Sequence, residues 1–444
     1  MWWPLDYLWP LHNLVSNLHG GHKWHWQAFL SDVNVIVIGA GIVGLASAFY
    51  LVQAGARVTL VDRDPEGDKA SLGNAGGIAV TEVIPASVPE VAWRVFGWML
   101  DPMGPLAVRP SHAPKLIPWL ARFARSGSPK EIERISAALA AINSRVYEDL
   151  APILSAVGLS HELHRKGALW LYETEEGFRR DAAEWACKRS LGVEALEITA
   201  PEARNMEPAL GPRTQRAVFT PQWSHVSDPR NIVDAVRHWL MQRGVTLQKG
   251  EVVDIASRAF DSVCISFAEG MRLTAQKVVI AAGAWSASLV KRMGDRVLLE
   301  SERGYNTTLP RPGVVVHREL IFAERKFVAT PLSCGLRVGG AAEFGGLEAP
   351  PQYRRSQVLL DLASLYLPEL QSTGGTYWAG HRPTTPDSLP VIGRSRRHDS
   401  VLYAFGHGHL GLTQAATTGR LISELAFRRK PSLDLAPYGI ERYC

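Results

Sequence analysis

Two short stretches of this chain carry residues able to do chemistry. Trp378–Gly393 reads WAGHRPTTPDSLPVIG, with Arg382 beside Pro383 and with Pro386 and Pro390 close behind. Prolines at this density rule out a regular helix or a central strand. The stretch is therefore predicted to be a stiff, kinked loop presenting one permanently charged fork. Such a fork either braces the fold, with Asp387 as a partner in the same loop, or grips an anion. Val33–Asp64 reads VNVIVIGAGIVGLASAFYLVQAGARVTLVDRD and contains Gly39-x-Gly41-x-x-Gly44. Gly39 permits a tight turn, Gly41 lets a pyrophosphate approach the backbone, and Gly44 lets helix and strand pack closely.

The elements that must position these glycines are legible. Val33–Ile38 is an apolar run of strand length, Ile42–Ala54 has helical spacing, and Gly55 stops that helix. Arg57–Val61 is a second, β-branched run, closed by Asp62. Strand, glycine turn, helix and strand make a βαβ unit. Its helix N-terminus offers free N–H groups and a positive dipole end to phosphates. Asp62 stands about 20 residues on, where an acid takes ribose hydroxyls. The unit predicts dinucleotide binding. A nicotinamide enzyme would continue with further βα repeats, whereas this chain runs into ASLGNAGGI, Ala70–Ile78. Gly73, Gly76 and Gly77 free that backbone to approach a flat ring, and Asn74 can hydrogen-bond in both directions.

Together, VIGAGIVG, SLGNAGG, HVSDPRNIVDAV, VVIAAGAWS, GHRPTTPDSLPVIG and FGHGHLGLTQAATTGRLISEL resemble the D-amino-acid oxidase family of FAD-dependent oxidoreductases. The resemblance runs from Val33 to about Leu425. It is strongest to the bacterial D-amino-acid dehydrogenases, with hydroxyproline dehydrogenases and glycine/sarcosine oxidases nearby. It implies that Gly39, Gly41, Gly44, Asp62 and the adjacent Arg63 hold the ADP half of FAD. Ser71, Asn74, Ala75, Gly76 and Gly77 would approach the flavin, and Val252 would present its backbone to the adenine. Ala282, Gly283 and Trp285 would close the pyrophosphate side. Gly406, His407, Gly408 and Gly411 would offer N–H groups to the flavin's pyrimidine edge, with the main chain rather than the rings of His407 and His409 doing the binding. The arginine of a GxRP stretch binds the substrate carboxylate in this family, which points to Arg382. Tyr305, in ERGYN, is a second candidate for that carboxylate or for a gate, against the alternative of a packed strand aromatic. Two departures stand out: Asp62 replaces the usual Glu, and Gly380 occupies the position where some relatives bind flavin through cysteine. FAD is therefore expected to be non-covalent, and Cys334 a buried apolar filler.

Composition narrows the rest. The chain has 444 residues, a net charge of +5 and a pI near 9.0. This mildly basic balance suits small acids or an anionic surface, and no Lys/Arg run interleaved with aromatics supports nucleic acid. Cys187, Cys264, Cys334 and Cys444 form no CxxC pair, and the histidines show no ligand spacing, so no metal site is expected. The thiols read as reduced and cytosolic. Residues 1–32 form an N-terminal extension with Leu8, Leu11, Val15 and Leu18 on one helical face and Trp2, Trp3, Trp9, Trp24 and Trp26 suited to a membrane interface. It lacks the features of a signal peptide and is too short and polar to span a bilayer. With no Lys or Arg before Lys23, a helix packed on the protein's own body or a poorly ordered extension is expected ahead of interfacial docking. The expected location is cytoplasmic, with peripheral docking on the inner face of the membrane as the alternative.

The fold is expected to be α/β: a two-domain flavoprotein with a Rossmann-type FAD-binding domain, discontinuous over 33–92, 224–290 and 376–444. The substrate domain, with a mixed or antiparallel sheet, takes 93–223 and 291–375. Residues 128–158 are expected to form one long helix, and VTLQKGEVVDI and QKVVIAAGAWS strands of one sheet. The resemblance implies oxidation of a free D-amino or imino acid to the imine by hydride transfer to flavin, then hydrolysis to a 2-oxo acid and ammonia. Electrons would pass to a quinone or an electron-transfer partner, with oxygen as the other acceptor. The alternatives are a hydroxyproline dehydrogenase or glycine/sarcosine-type oxidase on the same fold and, more remotely, a non-catalytic or membrane-tethered FAD-binding partner subunit. Substrate side chain, stereochemistry and oligomeric state carry no readable motif.

Overall fold

The structure is a computed structural model that describes residues 33–87, 104–258 and 262–443. The helical face at residues 8–18 lies outside the described residues. Asn34–Ile38, Arg57–Asp62, Thr246–Lys249, Lys277–Ile280 and Val401–Phe405 run parallel in a six-stranded sheet, with Val391–Arg394 antiparallel at one edge. The apolar runs of Asn34–Ile38, Lys277–Ile280 and Val401–Phe405, at the middle of the sheet, suit strands buried on both faces. One face is covered by the helices Ile42–Gln53, Pro229–Gln242 and Gly411–Ala426, around Val35, Val37, Leu45 and Phe49. The other face packs Ile36, Ile38, Val278 and Ile280 against Ile255, Val263 and Ile265 of a small antiparallel sheet.

The second body is a mixed nine-stranded sheet. From its edge inward run Thr376–Thr384, Glu300–Leu309, Gly335–Phe344, Phe327–Leu332, Glu319–Phe322 and Ala168–Tyr172. One face carries its own core, including Phe322, Phe327, Val338 and Tyr366. The opposite face is turned toward the dinucleotide unit. A three-stranded ladder of Gly77–Ile78, Ser224–Val226 and Leu163–His164 ties the two bodies together.

Several expectations change. Arg382 does not sit in a loop: it lies in the edge strand Thr376–Thr384, where Pro383 faces Ser301 in the ladder. An edge strand leaves one side unpaired, so Pro383 interrupts no ladder on that side. Only Pro386 and Pro390 stiffen the turn that follows. This strand, counted from sequence with the cofactor segments, is hydrogen-bonded into the nine-stranded sheet. The long helix is two helices, Pro129–Asn143 and Val146–Ala156. It stops where Asn143 turns its amide to the Val80 and Glu82 carbonyls, the backbone competition that makes Asn a weak helix former. Thr246–Lys249 joins the parallel sheet, but Val252–Arg258 leaves it for the small antiparallel one. Cys334 is exposed at a hairpin apex rather than buried.

Candidate active site

The site grows from the first turn. Gly39 adopts φ +110° and its N–H donates to Val61 O at 2.7 Å, so strand and helix meet almost without a connection. A β-carbon at Gly39 or Gly44 would overlap backbone atoms, whereas one at Gly41 would meet only Ser71 Oγ, at 3.5 Å, and face open space. The helix Ile42–Gln53 has no side-chain cap from its own N-terminal residue. Instead Ser71 Oγ accepts from Ile42 N at 3.0 Å. Asp62 closes the second strand with its carboxylate fixed by Ala40 N at 2.7 Å, Asp64 N at 2.9 Å and Lys69 Nζ at 3.3 Å. This is the expected place for an acid facing ribose, already oriented.

From this turn one cavity of about 1240 Å³ runs to the edge of the nine-stranded sheet, more than the roughly 300–1,000 Å³ of an ordinary small-molecule cleft. Gly39, Gly41, Asp62, Arg63, Ser71, Asn74, Ala75, Gly77, Val252, Ala282, Gly283 and Trp285 line it, as do His407, Gly408 and Gly411. Tyr305 and Arg382 line it too. Three expected residues do not: Gly44 packs the helix onto the strand, and Gly76 and Gly406 turn the chain at φ +97° and +83°. The His407 ring points away to Thr418 Oγ1 at 2.9 Å, and burial lowers its pKa to about 3, so it is neutral. His407 lines the cavity at the start of Gly411–Ala426, whose N-terminus has no side-chain cap. The N–H groups and dipole there suit a negative charge.

Arg63 stacks on the Trp285 indole, 3.8 Å from guanidinium carbon to ring centre, and the other neighbour of Trp285 is His381, at 5.3 Å. Burial lowers His381 to about 4, leaving a neutral ring beside Arg382. An exposed cation–π pair is worth about 0.5–1 kcal/mol. Arg63→Ala is therefore expected to raise the dissociation constant for flavin two- to fivefold, read from fluorescence on dilution; no change would mean the stack lies off the cofactor path.

The substrate-sheet face adds residues that sequence reasoning missed. Asn306 Nδ2 donates to Gly73 O at 2.7 Å, and Arg337 Nη1 donates to Asn74 O at 2.6 Å, pinning the glycine loop to the sheet. The Trp378 indole lies over Gly73 and Gly380 and donates to Asp68. Glu319, 2% exposed, lines the cavity beside Gly77 and accepts from Trp223 Nε1 at 2.8 Å. Arg382 lies over Gly304, its Cζ within 2.5 Å of where a β-carbon would sit, and pairs through Nη1 with Glu302 Oε1 at 2.8 Å. Asp387 pairs with Arg442 instead.

Tyr305 is placed differently from its expected role. Strand alternation puts Glu302, Gly304 and Asn306 toward the glycine loop, and Tyr305 toward the opposite core. It is 1% exposed, donates to buried Glu343, and accepts from Gln352 N at 3.0 Å. A hydroxyl so occupied is not free to grip a carboxylate, and the packed strand aromatic is the reading the geometry favours.

Two helix N-termini, a glycine cradle that side chains would fill, and a fixed acid at the second strand fit an extended dinucleotide whose far end lies at the sheet edge. A protein built this way is a dinucleotide-dependent oxidoreductase of the flavoprotein class. The DAO family model, described as FAD dependent oxidoreductase, matches residues 34–425, and the chain belongs to that family. It is 34% identical over 422 residues to a D-amino-acid oxidase of Bradyrhizobium diazoefficiens, covering 92% of this chain and 99% of the relative. It is 30% identical over 411 residues to a D-amino acid dehydrogenase of Dechloromonas aromatica, covering 90% and 98%. Glycine oxidase from Geobacillus kaustophilus superposes with a TM-score of 0.71 at 23% identity, covering 92% of this chain and 98% of that one. L-proline dehydrogenase from P. horikoshii gives 0.70 at 19%, covering 93% and 98%. The last two establish the shared fold. The enzyme is thus an FAD-dependent oxidoreductase with the two-domain architecture expected from sequence. Among the described residues, no helix is long and apolar enough to cross a membrane.

Proposed function

We propose that the enzyme oxidises the C–N bond of a free amino acid, a D-amino or imino acid, to the imine, which water converts to a 2-oxo acid and ammonia. A ring imino acid would stay cyclic. The observation that carries this reading is the Arg382 guanidinium at the sheet-edge end of a cavity that begins at the dinucleotide turn. FAD bound along that cavity supplies the two-electron acceptor. Arg382 fixes the substrate carboxylate, which sets where the Cα–H points, and such orientation is most of what a hydride transfer requires of the protein. Gly304 leaves room for the guanidinium, while Asn306 and Arg337 hold the glycine loop against the same sheet face. Gly39, Gly41, Asp62, Arg63, Ser71, Asn74, Ala75, Val252, Ala282, Gly283 and Trp285 are assigned to the cofactor by their places on the cavity wall, and FAD is held non-covalently.

Relatives named oxidase and dehydrogenase leave two acceptor classes. We assign a quinone or an electron-transfer partner on the likeness to the dehydrogenases, and a cytoplasmic location, with the tryptophans of residues 1–32 supporting peripheral docking on the membrane as the alternative. The test is anaerobic bleaching of the purified yellow protein across D- and L-amino acids, proline, hydroxyproline and N-methylglycine, then reoxidation by oxygen or by a soluble quinone. Fast bleaching by D-amino or imino acids and faster reoxidation by quinone is the expected result. Bleaching by glycine or N-methylglycine alone moves the assignment to a glycine-type oxidase, and no bleaching by any amine removes it.

A further inference from the structure

Arg382 does not wait alone. Glu302 stands directly opposite it in the antiparallel ladder, so both side chains leave the same face. Nη1 of Arg382 donates to Glu302 Oε1 at 2.8 Å and lies 3.4 Å from Ala341 O, and Thr384 Oγ1 donates to Glu302 Oε2 at 3.1 Å. Ala341 holds φ +47° at the bulge where the ladder to Glu300–Leu309 slips by one residue. Bulges re-aim side chains and backbone at sites, and this one brings a carbonyl up to the guanidinium. Neither charge is sealed: the side chains are 27% and 19% exposed. A guanidinium has five N–H donors and a carboxylate about four acceptor positions. Among the described residues, the contacts made by Arg382 use Nη1 alone, and those made by Glu302 use one position on each oxygen.

We infer that Glu302 and Arg382 act as one dipolar receptor for a zwitterionic amino acid, with Glu302 holding the substrate ammonium and accepting its proton. This rests on the amino-acid reading above and adds a catalytic group to it. Arg382 takes the substrate carboxylate through its free edge. The ammonium, two bonds away, is then drawn to the neighbouring Glu302 carboxylate. One N–H bond breaks, its electron pair stays on nitrogen, and an O–H bond forms on Glu302. The neutral amine can then push its lone pair toward Cα as the hydride leaves for the flavin, and Glu302 returns its proton to water. The same arrangement disfavours ligands with only half the charge pattern. A 2-oxo acid brings a carboxylate but no cation, so it meets Glu302 as a like charge, which costs affinity and speeds product release.

A residue that merely steadied Arg382 would give a different pattern in Glu302→Gln, and two measurements on the holoenzyme separate the cases. The first is anaerobic flavin reduction by the best amino acid of the panel. The second is binding of an amine-free carboxylate, the corresponding 2-oxo acid, followed by its perturbation of the flavin spectrum. E302Q is expected to slow reduction by at least about 100-fold, the lower range of general base catalysis, while the 2-oxo acid binds as tightly as before or several-fold tighter. Unchanged reduction overturns the inference. So does parallel weakening of reduction and of 2-oxo acid binding, which would make Glu302 a brace. If E302Q loses flavin, Glu302→Asp carries the same two readouts, with reduction impaired and 2-oxo acid affinity retained as the supporting result and the same two patterns as contrary ones. A wild type that no amino acid bleaches removes the amino-acid reading itself, which the unmutated protein reports before any variant is made.

Discussion

Arg382→Ala is expected to lower kcat/KM for the amino-acid substrate by about 30- to 300-fold while leaving the flavin bound. Truncating one member of a buried, hydrogen-bonded charge pair costs about 2–5 kcal/mol, and each 1.36 kcal/mol is tenfold in rate. The lower part of that range applies here, because the guanidinium is 27% exposed and solvent recovers part of the loss. Most of the effect should fall on KM, with a further fall in kcat if the carboxylate anchor also sets the Cα–H direction. Arg382→Lys retains the charge but not the planar fork. It must serve both Glu302 and the substrate from one ammonium, so it is expected to recover no more than about tenfold. Stopped-flow reduction over a range of substrate concentrations separates the two parameters. An unchanged KM in both variants would mean that Arg382 is the brace of the edge strand, paired with Glu302 for stability alone.

The dinucleotide half of this reading was legible because its signals are local. Gly39, Gly41 and Gly44 sit between a strand and a helix contiguous in sequence, and Asp62 ends the next strand, so spacing alone assigns their places. Arg382 was legible as a charge but not as a strand residue. Prolines count against central strands, and nothing in WAGHRPTTPDSLPVIG says that the segment lies at an edge, where the objection lapses. Tyr305 drew attention as the one hydroxyl in ERGYN, yet the period-2 alternation of a strand places its neighbours Glu302, Gly304 and Asn306 on the face that matters. That signal was present, and only the identity of the core-facing side was missing. Glu302, Arg337, Trp378 and Glu319 come from separate strands, and their convergence is a property of register across the sheet. No motif of short range encodes it.

Glu319 makes the second large prediction, and it concerns pH. The carboxyl is 2% exposed, and burial, reinforced by the nearby Glu82 charge and opposed by the Trp223 N–H, raises it from 4.5 to about 7. Between those values the folded chain holds the proton more tightly than the unfolded chain does. Stability therefore falls as pH rises through about 4.5 to 7, by an amount on the order of 3 kcal/mol at 1.36 kcal/mol per pH unit. Above that window the loss is complete and constant. Glu319→Gln keeps an oxygen to accept from Trp223 but cannot ionise. Its extra N–H donors need partners inside the protein, so at pH 5 the variant is expected to be the less stable protein. The difference should shrink steadily with pH and reverse by pH 8, with the crossing inside the titration window. Chemical unfolding of the two holoproteins at pH 5, 6, 7 and 8 shows this directly. Curves that stay parallel would mean that Glu319 titrates alike in the folded and unfolded chains. Because the carboxyl also lines the cavity against Gly77, the crossing would carry a functional corollary. A substrate or cofactor group bringing positive charge to that wall would draw the folded-state titration downward, so the ligand-bound protein should lose less stability across the window and its crossing point should move to higher pH.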